Sequence, residues 1–151
     1  MSQVEDAEQR RGIKATCISQ DKGQKTAVKD IALIKDLGVE GDYHAKGGER
    51  QVSLLAAESI QKMKDKGLKL EPGAFGENIV TEGIDLLSLK IGQKIKLGQT
   101  ELEISKIGKE CPERCAIYYA AGDCIMPREG IFAKVLKSGK VKAGDALEVI
   151  T

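Results

Sequence analysis

Histidine occurs once in this chain, at His44, and tryptophan not at all. A single imidazole excludes a histidine-rich metal centre and any proton relay between histidines. Three tyrosines and two phenylalanines imply an aliphatic core and leave few platforms on which nucleic-acid bases could stack. An excess of either charge is missing too: 24 Lys and Arg stand against 23 Asp and Glu, a formal +1. That balance argues against nucleic acid as a partner. No apolar run reaches the roughly 20 residues of a membrane helix, so no membrane partner is expected. The opening MSQVEDAEQRR is too polar for a signal peptide, and the expected location is the cytoplasm.

What is present is a 151-residue chain, 41% apolar and 31% charged, the composition of a globular protein. The length suits one domain that buries roughly 68–70% of its unfolded surface. Residues 1–11 read as a polar N-terminal segment and 12–151 as that single domain.

Residues 12–19 alternate, with Ile13, Ala15 and Cys17 on one buried face, and predict a first strand. After a turn at Asp21-Lys22-Gly23-Gln24, residues 25–34 predict a second, bent strand. Further strands follow at 51–55, 79–81 and, as a hairpin, over 91–97 and 100–107. The spacing predicts a helix over 56–66, with Ala57, Ile60 and Met63 on one face and Gly67 as a left-handed cap. Pro127 opens a second short helix that carries Ile131, Phe132 and Val135 into the core. Residues 89–97 echo 141–149 in their apolar, lysine and glycine positions, and each copy reads as a turn followed by an alternating strand. Many short strands with one or two short helices predict a mainly β chain, closed into a barrel rather than built as a βαβ fold. No Gly-rich phosphate loop or dinucleotide fingerprint follows any strand.

Three stretches carry candidate chemistry. Cys111, Cys115 and Cys124 fall close together, with Lys109 and Arg114 beside them, and nearby cations favour the reactive thiolate. In a chain without an export signal, such cysteines read as metal-binding, redox-active or simply packed. With His44 they also make a Cys₃His set, which keeps a small zinc-stabilised interaction domain open. The Gly-rich loop 41–50 holds Asp42, which could orient His44, and Arg50, whose planar fork suits a phosphate or carboxylate; it also reads as a plain surface loop. Phe75-Gly76-Glu77-Asn78 is either an anion-holding turn, with Asn78 as donor and acceptor, or an ordinary turn before a strand. Glu77 suits the first reading only if it points away or is paired. Arg128 would lie near the cysteine segment.

Taken in order, Gly41-Asp42-Tyr43-His44, Arg50-Gln51-Val52-Ser53-Leu54-Leu55, Pro72-Gly73-Ala74-Phe75-Gly76-Glu77-Asn78-Ile79, Gly108-Lys109-Glu110-Cys111 with Cys115, and Cys124-Ile125-Met126-Pro127-Arg128-Glu129-Gly130-Ile131-Phe132 resemble the MOSC domain family, named for the C-terminal domain of molybdenum cofactor sulfurase. The chain is similar to its short stand-alone bacterial members. The resemblance implies a barrel of the pyruvate-kinase type and a site for the molybdenum cofactor (molybdopterin), with no pyridoxal phosphate site. It also implies a functional cysteine that carries persulfide sulfur or ligates molybdenum. Cys115 matches that cysteine best, with Cys111 and Cys124 as further catalytic candidates. Arg50, Asn78, His44 and Arg114 are the residues expected to hold the anionic cofactor. A cysteine desulfurase as sulfur donor and a molybdoenzyme as recipient are the implied partners. Sulfur carriage is the leading reading, and handover of finished cofactor without sulfur chemistry is the alternative. Pro112 departs from the pattern the resemblance implies, standing after Cys111 where a histidine is expected in many short relatives.

Overall fold

The computed structural model describes residues 12–19, 25–43, 45–48, 50–67, 69–108 and 130–150. Within them the chain is mainly β. Its elements are β1 (Gly12–Ile18), β2 (Thr26–Val28), β3 (Asp30–Ile34), β4 (Gly38–Val39), β5 (Val52–Ala56), α1 (Ala57–Lys64), β6 (Ile79–Glu82), a 3₁₀ turn (Leu86–Ser88), β7 (Lys94–Leu97), β8 (Thr100–Ile107), β9 (Ile131–Lys137), β10 (Gly139–Lys142) and β11 (Leu147–Val149).

Two open sheets replace the expected closed barrel. One has the order β11-β7-β8-β9-β5-β6-β1-β2, the other β10-β3-β4. Closure would need β11 to pair with β2, the strand at the other end of the order, and among the described residues the two do not pair. What joins β1 to the turn before β11 is a pair of backbone bonds, Ile13 N–H to the Asp145 carbonyl at 2.9 Å and Gly144 N–H to the Ile13 carbonyl at 2.8 Å.

A βαβ unit is present as well, against the expectation: β5 and β6 run parallel, and parallel neighbours need a crossover, here α1. Helix α1 forms where the apolar period changes from two to three or four, burying Ile60 and Met63 under Leu55, Phe75 and Val80. Gly67 follows at φ +94°, the predicted left-handed cap. The larger core lies between the sheets, where Ile31, Leu33, Val39 and Val141 meet Val52, Leu54, Ile79, Ile95, Leu102 and Ile104.

Three further expectations change. Residues 131–137 form β9, not a helix: Ile131, Ala133 and Val135 alternate into the main core, and β8 and β5 flank the strand on both edges. Residues 25–34 break at Lys29 into β2 and β3, one in each sheet. Along β1 a bulge between Ile13 and Ala15 puts Ile13 in the larger core and Ala15 against the helix cluster, so they do not share a face. The sequence echo has a direct structural meaning, because its two strands are neighbours: Leu97 pairs with Leu147 and Ile95 with Val149.

Candidate functional site

The strand register lays a row of residues across the sheet on the face opposite the larger core. Cys17 N–H bonds the Asn78 carbonyl at 2.7 Å and Asn78 N–H bonds the Ser53 carbonyl at 2.9 Å. Ser53 stands opposite Phe132 on β9, and Phe132 opposite Lys106 on β8. Just beyond Lys106 and Phe132, Gly108 N–H donates to the Gly130 carbonyl at 2.6 Å. That bond fixes the point where the cysteine-bearing stretch 109–129 leaves and rejoins the sheet. Cys111, Cys115, Cys124, Arg114 and Arg128 lie outside the described residues, as does His44.

Asn78 is fully buried, and its side chain is engaged inside the protein. Its Oδ1 accepts from Ser53 N–H at 3.1 Å, and its Nδ2 donates to the Cys17 carbonyl at 3.1 Å. The amide therefore staples β1 to β5 across the start of β6, and presents no free group to a ligand. The Gly-rich turn before it has also found its anion. Glu77 is fully buried, with one carboxylate oxygen accepting from Gly73 N–H at 2.9 Å and the other from Phe75 N–H at 3.0 Å. The backbone donors expected to hold an external anion are thus occupied by this carboxylate, which is paired as an acid there must be.

Asp42 does not stand free to orient His44. Lys25 Nζ meets its two carboxylate oxygens at 2.8 and 2.9 Å, both side chains fully enclosed, and Ser19 N–H adds a bond at 3.0 Å. Lys25 was not expected among the site residues, since nothing local distinguishes it from the other lysines of a polar turn; its burial comes from a partner 17 residues away. Cys17, also buried, feels this knot. Burial pushes its thiol up from 9.0 to about 12, the Glu77 charge adds to the rise, and Lys25 opposes it. Cys17 is therefore a protonated, enclosed thiol, unlike a reactive cysteine.

Arg50 is different. It is half-buried, and among the described residues its guanidinium makes no hydrogen bond or ion pair. It rests over the Phe132 ring, 5.5 Å from the centroid, in the range of a cation–π contact. The next residue is pinned: Gln51 donates to the Gly48 carbonyl at 3.0 Å and accepts from Val135 N–H at 2.9 Å. In the same loop Lys46 stands 3.8 Å over the Tyr43 ring. Of the sequence-predicted residues that are described, Asn78 and Arg50 share this face, but Arg50 alone offers an unengaged group. Among the described residues, no group of three or more His, Cys, Asp or Glu is placed to hold a metal, and no helix is long and apolar enough to cross a membrane.

The family model of the MOSC domain matches residues 41–148. Among solved structures the chain is similar to the YuaD protein from Bacillus subtilis, with a TM-score of 0.75 and 21% identity over 92% of this chain and 94% of that one. It is similar to YiiM from Geobacillus stearothermophilus (TM-score 0.71, 18% identity, 93% and 75% of the chains). YiiM from Escherichia coli gives a TM-score of 0.66 and 22% identity over 92% and 69%. Likenesses at these identities establish a shared fold. No curated protein matches.

Proposed function

The chain belongs to the MOSC domain family, and on that premise we propose that it binds a molybdopterin-type cofactor through Arg50 and carries sulfur on Cys115 for delivery to a molybdenum centre. The observation that supports this reading is the unengaged Arg50 guanidinium over Phe132, on the strand that emerges from the cysteine segment. A planar, permanently charged fork of this kind suits a phosphate and forms paired N–H···O contacts with it. The cofactor would supply the dithiolene that holds molybdenum. Arg50 would bind and orient its phosphate, while Asn78 and Glu77 keep the strands beneath in register.

In the sulfur step, the Cys115 thiolate attacks the outer sulfur of a partner desulfurase's persulfide. The donor's S–S bond breaks, the donor cysteine leaves as thiolate, and the persulfide now sits on Cys115. Cys111 and Cys124 are the further thiols of that segment. Incubation with a desulfurase and cysteine, followed by persulfide labelling, tests this step. Labelling that disappears in Cys115→Ser supports it; equal labelling of parent and variant overturns it and leaves cofactor handover, which needs Arg50 but no thiol.

A further inference from the structure

We propose that Phe132 is a positioning residue for Arg50, and that the pair selects a ligand ending in a phosphate-type oxyanion with two oxygens free to meet the guanidinium edge. The proposal rests on the reading of Arg50 as the residue that holds the anion. A long arginine side chain loses rotamer freedom when it binds, and that loss weakens binding unless the side chain is already held. Among the described residues Arg50 has no hydrogen bond or ion pair to hold it, so the Phe132 ring, 5.5 Å from its guanidinium carbon, is what does so. The ring is itself fixed, being 1% exposed on β9 between Ser53 of β5 and Lys106 of β8.

Two observations set Phe132 apart from an ordinary core residue. Among the described residues it belongs to neither apolar cluster, although it is among the largest fully buried side chains. The chain contains only five phenylalanines and tyrosines in all, and this one stands under a cation that has no ion pair among the described residues. Gln51, clamped between Gly48 and Val135, fixes the backbone next to Arg50. The arginine is therefore held at its base by Gln51 and at its head by the ring. The guanidinium held there carries its N–H donors as a planar fork, which matches two oxygens side by side.

The test measures inorganic phosphate binding at low salt by calorimetry. The parent is compared with Arg50→Gln, Arg50→Lys, Phe132→Leu, Phe132→Tyr and the Arg50→Gln/Phe132→Leu pair, each checked for cooperative unfolding. The expected result is loss of binding in Arg50→Gln, weakening of about three- to tenfold in Phe132→Leu, and recovery in Phe132→Tyr. Because Arg50→Gln leaves no binding to compare, the double variant is read by unfolding: Phe132→Leu should lower stability less in the Arg50→Gln background than alone, a coupling that a general packing defect would not produce. Parent-like binding by Phe132→Leu, with binding lost in Arg50→Gln, overturns the positioning role alone. Equal binding, or none, in parent and Arg50→Gln overturns the reading of Arg50 and the proposal with it. Should Phe132→Leu not fold, Arg50→Lys decides: it keeps the charge without the planar edge, so parent-like binding there overturns the proposed selection.

Discussion

The carboxylate of Glu77 turns back onto the backbone N–H of Gly73, at 2.9 Å. The Gly73 carbonyl in turn accepts from Lys25 N–H at 2.8 Å, and the Lys25 ammonium is buried against Asp42. Loops that are far apart in sequence are thus tied into one enclosed polar knot above the ends of β1 and β6. An enclosed knot in which every member has a partner fixes geometry strongly, because removing any one strands its neighbours away from water. It fixes the loops that hold Gly73, Glu77, Lys25 and Asp42 against one another.

Gly73→Ala tests how tight that knot is. Gly73 has φ +94°, and a Cβ there would collide with the Lys25 carbonyl oxygen. Gly67 has the same φ with nothing within 4 Å. Both substitutions carry the left-handed strain, about 1–2 kcal/mol, but only Gly73→Ala must also move backbone. Urea denaturation should show a loss of about 3 kcal/mol or more for Gly73→Ala and the smaller figure for Gly67→Ala.

Removing one partner of the Lys25–Asp42 pair should cost roughly 3–5 kcal/mol, the cost of an uncompensated buried charge. Lys25→Met is the informative variant. The double change Lys25→Met/Asp42→Leu should be less damaging than the sum of the single changes, and chemical denaturation of the four proteins gives the coupling.

The Cys17 thiol, held up at about 12 from 9.0 by burial first and Glu77 second, makes stability pH-dependent on the alkaline side. Between those values the unfolded chain has released the proton and the folded chain has not. Folding is therefore progressively disfavoured as pH rises from 9 towards 12, and the contribution is fully present below 9. Cys17→Ala should show a shallower alkaline decline in unfolding free energy than the parent. Iodoacetamide should leave native Cys17 unmodified at pH 8 and label it in urea.

Asn78→Ala should cost about 2–4 kcal/mol, since it leaves Ser53 N–H and the Cys17 carbonyl buried without partners. Asn78→Asp keeps the shape but loses the donor to Cys17. Burial disfavours its charged form, so its carboxyl titrates above the unfolded value, and part of the lost stability should return as pH falls from 7 to about 4. Thermal unfolding across that range checks the sign.

Several features are local in origin and could be read from the residues alone. Helix α1 follows from Ala57, Ile60 and Met63 at helical spacing with Gly67 beyond. The β7–β8 hairpin follows from alternation on either side of Gly98. The ordered set of Gly-rich and cysteine-bearing stretches pointed to the family, which the match over 41–148 bears out. Periodicity misled over residues 131–135, where Ile131 and Val135, four apart, fit one face of a helix as well as one face of a strand; the neighbours β5 and β8 decided the matter.

The sequence by itself determined a mainly β domain of the MOSC family, its one described α-helix, an aliphatic core and a set of residue types suited to anion and thiol chemistry. Only the tertiary structure decided which of those residues are engaged internally. Glu77, Asn78 and Asp42 were legible as polar residues in loops, but their partners lie across the fold: Cys17 is 61 residues from Asn78 and Lys25 is 17 from Asp42. Whether the sheet closed was decided in the same way, because it depends on which strands the assembled fold brings within hydrogen-bonding reach of each edge. Burial and hydrogen-bond satisfaction are properties of the assembled chain, and these placed Arg50 on Phe132 with its charge unspent.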